Sequence, residues 1–144
     1  MYRVADMHCD TIGALLMAGR DPKRQEETLR RNHFHVDLNK MRAGNYLVQN
    51  FALFVPLSKD TDPLEEVLRL ADQFFREMDN CRDMIRQVRS FEDIERNRRE
   101  GLMSALLTVE EGGVCKGEPA FLRILYQLGV RMLTLTWNFP NELG

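Results

Sequence analysis

The chain has 144 residues, which is the length of one domain and enough to bury a hydrophobic core. Hydrophobic residues make up 44% of it and charged residues 29%, so the composition excludes a disordered protein. The net charge of −2 argues against nucleic acid as a partner. No apolar run approaches the roughly 20 residues that span a bilayer, and no apolar signal segment opens the chain. With three widely spaced cysteines and no CxxC pair, we expect a reduced, cytoplasmic protein without a membrane partner.

Short apolar strands alternate with longer helical segments along the first part of the chain. Residues 4–7 predict a short strand, and a helix capped near its start follows over residues 12–18. The polar residues 23–31 predict an exposed helix or loop. Residues 46–55 are almost continuously apolar, as expected of a parallel strand that is covered on both faces.

Helical periodicity dominates the middle of the chain. Asp62 and Pro63 begin a helix with an apolar stripe, and its periodicity continues weakly as far as Val88. Ser90 provides the capping residue of a second, short helix over residues 91–99. The sequence therefore predicts helix, and no strand, between the second and third apolar runs.

The last part of the chain predicts two further strands, over residues 102–109 and 130–136, with a helix over 119–128 that ends at Gly129. About four βα units follow from this order, with parallel strands and helical crossovers. A closed (β/α)₈ barrel needs about 250 residues, so the chain is either a small open α/β sheet or the first part of a longer barrel. We favour the longer barrel because an open sheet would expose a long apolar strand at its edge.

The first candidate site is His8 with Asp10, at the C-terminal end of the first strand, where α/β proteins bind ligands. Their two-residue spacing on a strand directs both side chains to one face, and Cys9 to the other as a small buried hydrophobe. An imidazole nitrogen and a carboxylate oxygen suit a borderline cation such as zinc. The alternative is a helix-capping aspartate and a hydrogen-bonded core histidine. We expect His33 and His35 to be exposed or locally hydrogen-bonded.

Two further candidates follow later strands. Glu110 comes directly after an apolar run, where a carboxylate is destabilising unless it is paired or bound to a metal. The alternative is that Glu110 and Glu111 open a polar loop. Trp137 and Asn138 follow the last strand, and they either contact a ligand or serve in packing and a turn.

Taken together, these segments resemble the membrane dipeptidase (renal dipeptidase) family, peptidase family M19. The resembling segments occur in order over nearly the whole chain: DMHCDT at 6–11, HVDL at 35–38 through QNFA at 49–52, LTVEEGG at 107–113, and the run 122–138 that ends in LGVRMLTLTWN. The resemblance implies an α/β fold, a (β/α)₈ TIM barrel of the metal-dependent amidohydrolase type. Residues 1–144 would be the N-terminal part of a single metallopeptidase barrel domain and cover about its first half.

The resemblance also implies a site for two zinc ions at the C-terminal mouth of the barrel. The histidine and aspartate of the family's first strand fall on His8 and Asp10. The bridging glutamate falls on Glu111 if the glycine pair is aligned, and on Glu110 if residues are counted without gaps through the following helix and strand. We assign the role to Glu110, because the ungapped count agrees over the longer segment.

The reaction implied is hydrolysis of a dipeptide by a hydroxide that bridges two zinc ions. Trp137 stands where some family members carry a substrate-contacting histidine, and we expect it and Asn138 to bind substrate. The family's remaining histidine ligands and its late aspartate lie beyond residue 144, so this chain is expected to hold only part of the site. Two other hypotheses stay open: a non-catalytic half-barrel that self-associates as a homodimer, and another metal-dependent hydrolase such as a phosphoesterase.

Overall fold

A parallel sheet of five strands organises residues 2–144, the part of the chain that the computed structural model describes. The strands are β1 (Val4–Asp6), β2 (Tyr46–Phe54), β3 (Ile85–Val88), β4 (Met103–Glu110) and β5 (Val130–Thr134). The helices are α1 (Thr11–Ala18), α2 (Leu38–Ala43), α3 (Pro63–Asn80), α4 (Phe91–Arg99) and α5 (Pro119–Leu128), with a short 3₁₀ helix over Gly112–Cys115. The predicted parallel α/β class is confirmed. Within residues 2–144, no helix combines the length and the apolar character needed to cross a membrane.

β4 lies at the centre of the sheet and pairs with three other strands. One of its edges pairs with β2, which in turn pairs with β1. The opposite edge is shared, since β3 pairs with residues 103–106 and β5 with residues 107–110. All four pairings are parallel. The strands β1, β2, β4 and β5 therefore follow one another in space as they do along the chain. β3 lies beside only the N-terminal half of β4, on the edge that β4 shares with β5.

β3 is the main difference from the predicted elements. The prediction that weak helical structure continues to Val88 was wrong, because α3 ends at Asn80 and Ile85–Val88 form a strand. Ile85 and Val88 are both fully buried, and the backbone of this segment pairs with β4 instead of closing helical turns. Tertiary pairing thus overrides a weak local pattern.

Three smaller details complete the comparison with the predicted elements. α2 was not predicted, although Asp37 provides a cap by accepting a hydrogen bond from the Lys40 amide at 2.8 Å. Of the helix or loop predicted for residues 23–31, the structure has the loop, which consists of turns and bends. The predicted helix boundaries at Ser90 and Gly129 are confirmed, the first by a capping box and the second by a left-handed glycine with φ of 105°.

The two faces of the sheet are covered differently. Phe51 of β2 packs against Phe74 of α3, with ring centroids 6.0 Å apart, on the face that holds the apolar core. α4 lies on the opposite face, where Asn97 donates a hydrogen bond to the Ser104 hydroxyl at 3.2 Å. Because side chains alternate along a strand, Glu110 at the other end of β4 shares the face of Ser104. α4 therefore covers the face opposite the apolar core at the N-terminal end of β4, and it leaves that face open at the C-terminal end, where Glu110 lies.

Candidate metal centre

His8, Asp10 and Glu110 meet at the C-terminal end of the sheet. The Nε2 atom of His8 lies 3.3 Å from Oδ1 of Asp10 and 3.3 Å from Oε2 of Glu110. One ligand atom from each of the three side chains falls within 4.8 Å of the other two. β1 and β4 do not pair with each other, since β2 lies between them in the sheet. The cluster is therefore assembled across β2 by side chains from two strand ends about 100 residues apart in the chain.

His8 and Asp10 lie just beyond β1, and not on the strand itself as the spacing argument assumed. Extended pairing nevertheless resumes at Cys9, whose amide donates to Asn50 O at 3.1 Å and whose carbonyl accepts from the Ala52 amide at 3.0 Å. This pairing directs Cys9 into the apolar core and its two neighbours toward the opposite face. Burial raises the pKa of the Cys9 thiol to about 11, so it is neutral at pH 7. The predicted role of Cys9 as a small buried hydrophobe is confirmed.

Asp10 occupies the cap position of α1 but does not cap the helix. Its φ and ψ are −96° and 18°, and its side chain accepts no capping hydrogen bond. The carboxylate is 61% exposed and turned toward His8. The capping alternative that the sequence left open for Asp10 is therefore absent, and its oxygens stay free for another partner.

Glu110 and Glu111 are neighbours with opposite surroundings. Glu110 ends β4, and its side chain, 17% exposed, reaches His8. Glu111 is only 1% exposed, and its Oε1 accepts hydrogen bonds from the Gly113 amide at 2.9 Å and from the side-chain amide of Asn141. Of the two glutamates that competed for the bridging role, only Glu110 lies in the cluster.

Trp137 borders the cluster through an aromatic contact. Its ring meets Phe54 edge to face, with centroids 4.8 Å apart, and Phe54 is the residue that pairs with Glu110 across β2 and β4. Asn138 is exposed beside it. The packing of Trp137 on Phe54 was not visible in the sequence, because residues 83 positions apart approach only once the strands are aligned.

The other two histidines lie outside the cluster, as expected. His33 Nδ1 lies 2.9 Å from Oε1 of Glu27, and the pKa of that carboxyl is lowered chiefly by this hydrogen bond. His35 is exposed. Neither side chain belongs to the three-residue group of possible ligands in residues 2–144.

A cavity of about 610 Å³ opens beside Asp10, between α1 and the connection from β2 to α3. Apolar side chains form most of its wall, including Phe54, while Arg20 and Glu66 contribute charge. No sequence pattern predicts these lining residues, because they belong to separate elements with no shared motif. The cavity provides space for a small organic group next to one of the three cluster residues.

Comparisons with known proteins agree with this architecture. The family model of membrane dipeptidase (peptidase family M19) matches residues 1–144. A solved dipeptidase AC, a metallopeptidase of family M19, superposes with a TM-score of 0.81 at 23% identity, covering 96% of this chain and 44% of that one. A metallopeptidase from Rhodobacter sphaeroides, bound to a phosphinate mimic of the dipeptide L-Ala-D-Ala, superposes with a TM-score of 0.81 at 21% identity, covering 96% and 46%. An amidohydrolase from Pseudomonas aeruginosa reaches 0.65 at 18% identity, covering 72% and 30%.

The chain thus spans less than half the length of the solved structures it matches. At these identities the likeness concerns the fold. The prediction of a barrel of which this chain covers about the first half is confirmed, with β1, β2, β4 and β5 as consecutive parallel strands.

Proposed function

Since the chain belongs to the membrane dipeptidase family, peptidase family M19, we propose that the complete barrel is a zinc-dependent dipeptidase that hydrolyses the peptide bond of small dipeptides. The observation that carries this proposal is the meeting of His8, Asp10 and Glu110 within 4.8 Å at the C-terminal end of the sheet. In this proposal, residues 1–144 are the N-terminal part of one barrel domain. The remaining strands would supply the other half of the site.

The donor set fits zinc. One imidazole nitrogen and two carboxylate oxygens are ligands that this borderline cation accepts, and all three are free of other strong partners apart from one another. His8 and Asp10 would hold one ion, and Glu110 would bridge to a second. When bound, zinc supplies positive charge that lowers the pKa of water and polarises a carbonyl group.

The charges of the cluster favour a cation. Two carboxylates lie within 4.8 Å of each other with a single imidazole between them, so their mutual repulsion is relieved when a divalent ion binds. Glu110 is the least exposed of the three, and its charge is therefore the least screened by water. The strongest single contribution to metal affinity from this chain should come from Glu110.

The rim of the cluster suits a small substrate. Trp137 and Asn138 would contact the substrate there, and the cavity beside Asp10 has room for one of its side chains. The dipeptide mimic bound by the R. sphaeroides metallopeptidase, which has the same fold, supports dipeptides as the substrate class. The three buried cysteines, none of them in a disulfide, support a reducing compartment such as the cytoplasm.

The direct test measures bound zinc and substrate turnover. We expect the chain to bind zinc, and the complete barrel to hydrolyse dipeptides in a reaction that a chelator stops and that Glu110→Gln abolishes without unfolding the protein. A parallel panel of phosphate esters is the control for substrate class. Hydrolysis of the esters but not of dipeptides would replace this proposal with another metal-dependent hydrolase. Full dipeptide turnover by residues 1–144 alone would show that the second half of the site is not required.

A second candidate role, self-association of the half-barrel, is supported by the exposed apolar side chains at the β5 and α5 edge. Leu122, Tyr126 and Met132 are each at least 40% exposed and line one groove along the free edge of β5. Pairing of this edge with a second copy would cover them and give a homodimer. Light scattering after size exclusion, with and without a chelator, distinguishes the roles: a dimer indifferent to the chelator favours assembly over a metal-centred function.

A further inference from the structure

The segment from Leu135 to Leu143 folds back over the end of β4. Asn141 lies at the middle of this arrangement, since its side-chain amide donates to Oε1 of Glu111 and to the Leu135 carbonyl at 2.9 Å. Its side-chain oxygen accepts from the Leu143 amide at 2.8 Å. The side chain of Asn141 thus connects Glu111 to Leu135 and Leu143, the two ends of the segment that carries Trp137.

Glu111 has a backbone conformation that a non-glycine residue rarely adopts. Its φ is 122°, outside the regions open to side chains other than glycine without strain. Such strain persists only where the surroundings hold it, and here two hydrogen bonds to a carboxylate that is 1% exposed do so. Alternation along β4 directs Glu110 to the cluster and Glu111 to the opposite face, and the turn at Glu111 brings its carboxylate to the donors of Gly113 and Asn141.

The turn after Glu111 is in close contact with the same segment. A Cβ atom added at Gly112 would collide with the Leu135 carbonyl oxygen, and it would lie 2.6 Å from the Leu143 side chain. Only glycine fits between them. The turn and the segment are therefore locked by backbone contact as well as by the hydrogen bonds of Asn141.

We propose that Glu111 and Asn141 form a positioning pair that fixes Trp137 at the rim of the cluster and holds Glu110 turned toward His8. Trp137 lies between the two anchor points of the segment, and it meets Phe54 beside Glu110. The effect on Glu110 rests on the proposed function, because it matters only if the cluster binds a metal. The effect on Trp137 does not, because it concerns the position of a side chain in the metal-free chain.

The test uses Trp137 as its own reporter, since it is the only tryptophan in the chain. In Asn141→Ala, we expect a red-shifted emission and an acrylamide quenching constant about twice that of the wild type, because Trp137 as a residue is 48% exposed and its release would expose nearly all of it. Glu111→Ala should do the same, whereas Glu111→Gln, which keeps the accepting oxygen, should restore wild-type values. Glu142→Ala is the matched control, an exposed neighbour of Asn141 in the same segment.

A second readout follows zinc affinity in the same variants, all checked by circular dichroism for an intact fold. We expect the dissociation constant to rise about 10- to 100-fold in Asn141→Ala and Glu111→Ala, the range known for residues that orient metal ligands. If Glu111→Ala does not fold, Asn141→Ala decides, because its side chain is only half-buried at the surface.

The outcomes separate the two proposals. Emission and quenching in Asn141→Ala that match those of Glu142→Ala would overturn the positioning pair. A change in fluorescence with unchanged zinc affinity would overturn the part that concerns Glu110. If the wild type binds no zinc, the proposed function fails, while the fluorescence result still decides whether the pair holds Trp137.

Discussion

Glu110→Gln is the substitution that tests the metal centre most directly. The change keeps the shape of the side chain but removes the charge that lies 3.3 Å from His8 Nε2. Zinc sites with four protein ligands bind with about 10–16 kcal/mol, so one ligand contributes about 3 kcal/mol, or about 100-fold in the dissociation constant. Because a glutamine oxygen still coordinates weakly, we expect a loss of about 10- to 100-fold. Asp10→Asn should lose less, since Asp10 is far more exposed and its charge is better screened.

The assay is a competition titration of zinc against a chromophoric chelator, on the chain as it stands. Glu118→Gln is the matched control, because Glu118 lies on the connection that leads from Glu110 at the end of β4 to α5, is exposed, and forms no capping hydrogen bond with its side chain. Its zinc affinity should equal that of the wild type. Equal affinities for Glu110→Gln and Glu118→Gln would refute the assignment of Glu110 as a ligand. A larger loss in Asp10→Asn than in Glu110→Gln would refute the reasoning from exposure.

Three further predictions concern stability. Phe51→Ala should destabilise the fold by about 3–5 kcal/mol in urea unfolding, because it leaves a cavity against Phe74; a loss below about 1 kcal/mol would contradict the core as described. Ser90→Ala should lose about 1 kcal/mol through the capping box of α4, and an unchanged midpoint would contradict this. Burial would raise the pKa of Asp37, but hydrogen bonds from Lys40 and from the Asn32 amide outweigh it and lower that pKa. Asp37 therefore stabilises the fold above about pH 4, so the melting-temperature gap to Asp37→Asn should shrink as the pH falls through the folded-state pKa, and a gap independent of pH would refute this.

The positions of the cluster residues could be predicted because they depend on two robust signals. Apolar runs mark the buried strands, and polar residues directly after them lie at the C-terminal edge of a parallel sheet. His8 and Glu110 both follow such runs, so their convergence required only that the strands be parallel and close. The exact end of β1 was not needed, because the pairing of Cys9 with β2 restores the alternation beyond the strand.

The elements that the sequence did not predict depend on contacts between distant segments. β3 has only four residues, and its two buried side chains fit a helix as well as a strand until β4 provides a partner. α2 is a helix of six residues, too short to show periodicity. The role of Asn141 is invisible for the same reason, since its partner Glu111 lies 30 positions earlier and no pattern links them.

The choice between Glu110 and Glu111 shows what the structure adds to a motif. Alignment of the glycine pair and the ungapped count gave different answers, and both residues have the same side chain. Alternation along β4 places Leu107 and Val109 on the core face and Glu110 on the open face. Strict alternation would then drive Glu111 into the apolar core as an unpaired charge, which is strongly unfavourable. The backbone instead turns at φ 122°, and the buried carboxylate takes its hydrogen bonds from Gly113 and Asn141. The backbone strain at Glu111 thus arises because β4 ends with Glu110 facing His8 and the next carboxylate must leave the apolar core. Substitutions of Glu110 should therefore affect metal binding directly, and substitutions of Glu111 should act through the position of its neighbours.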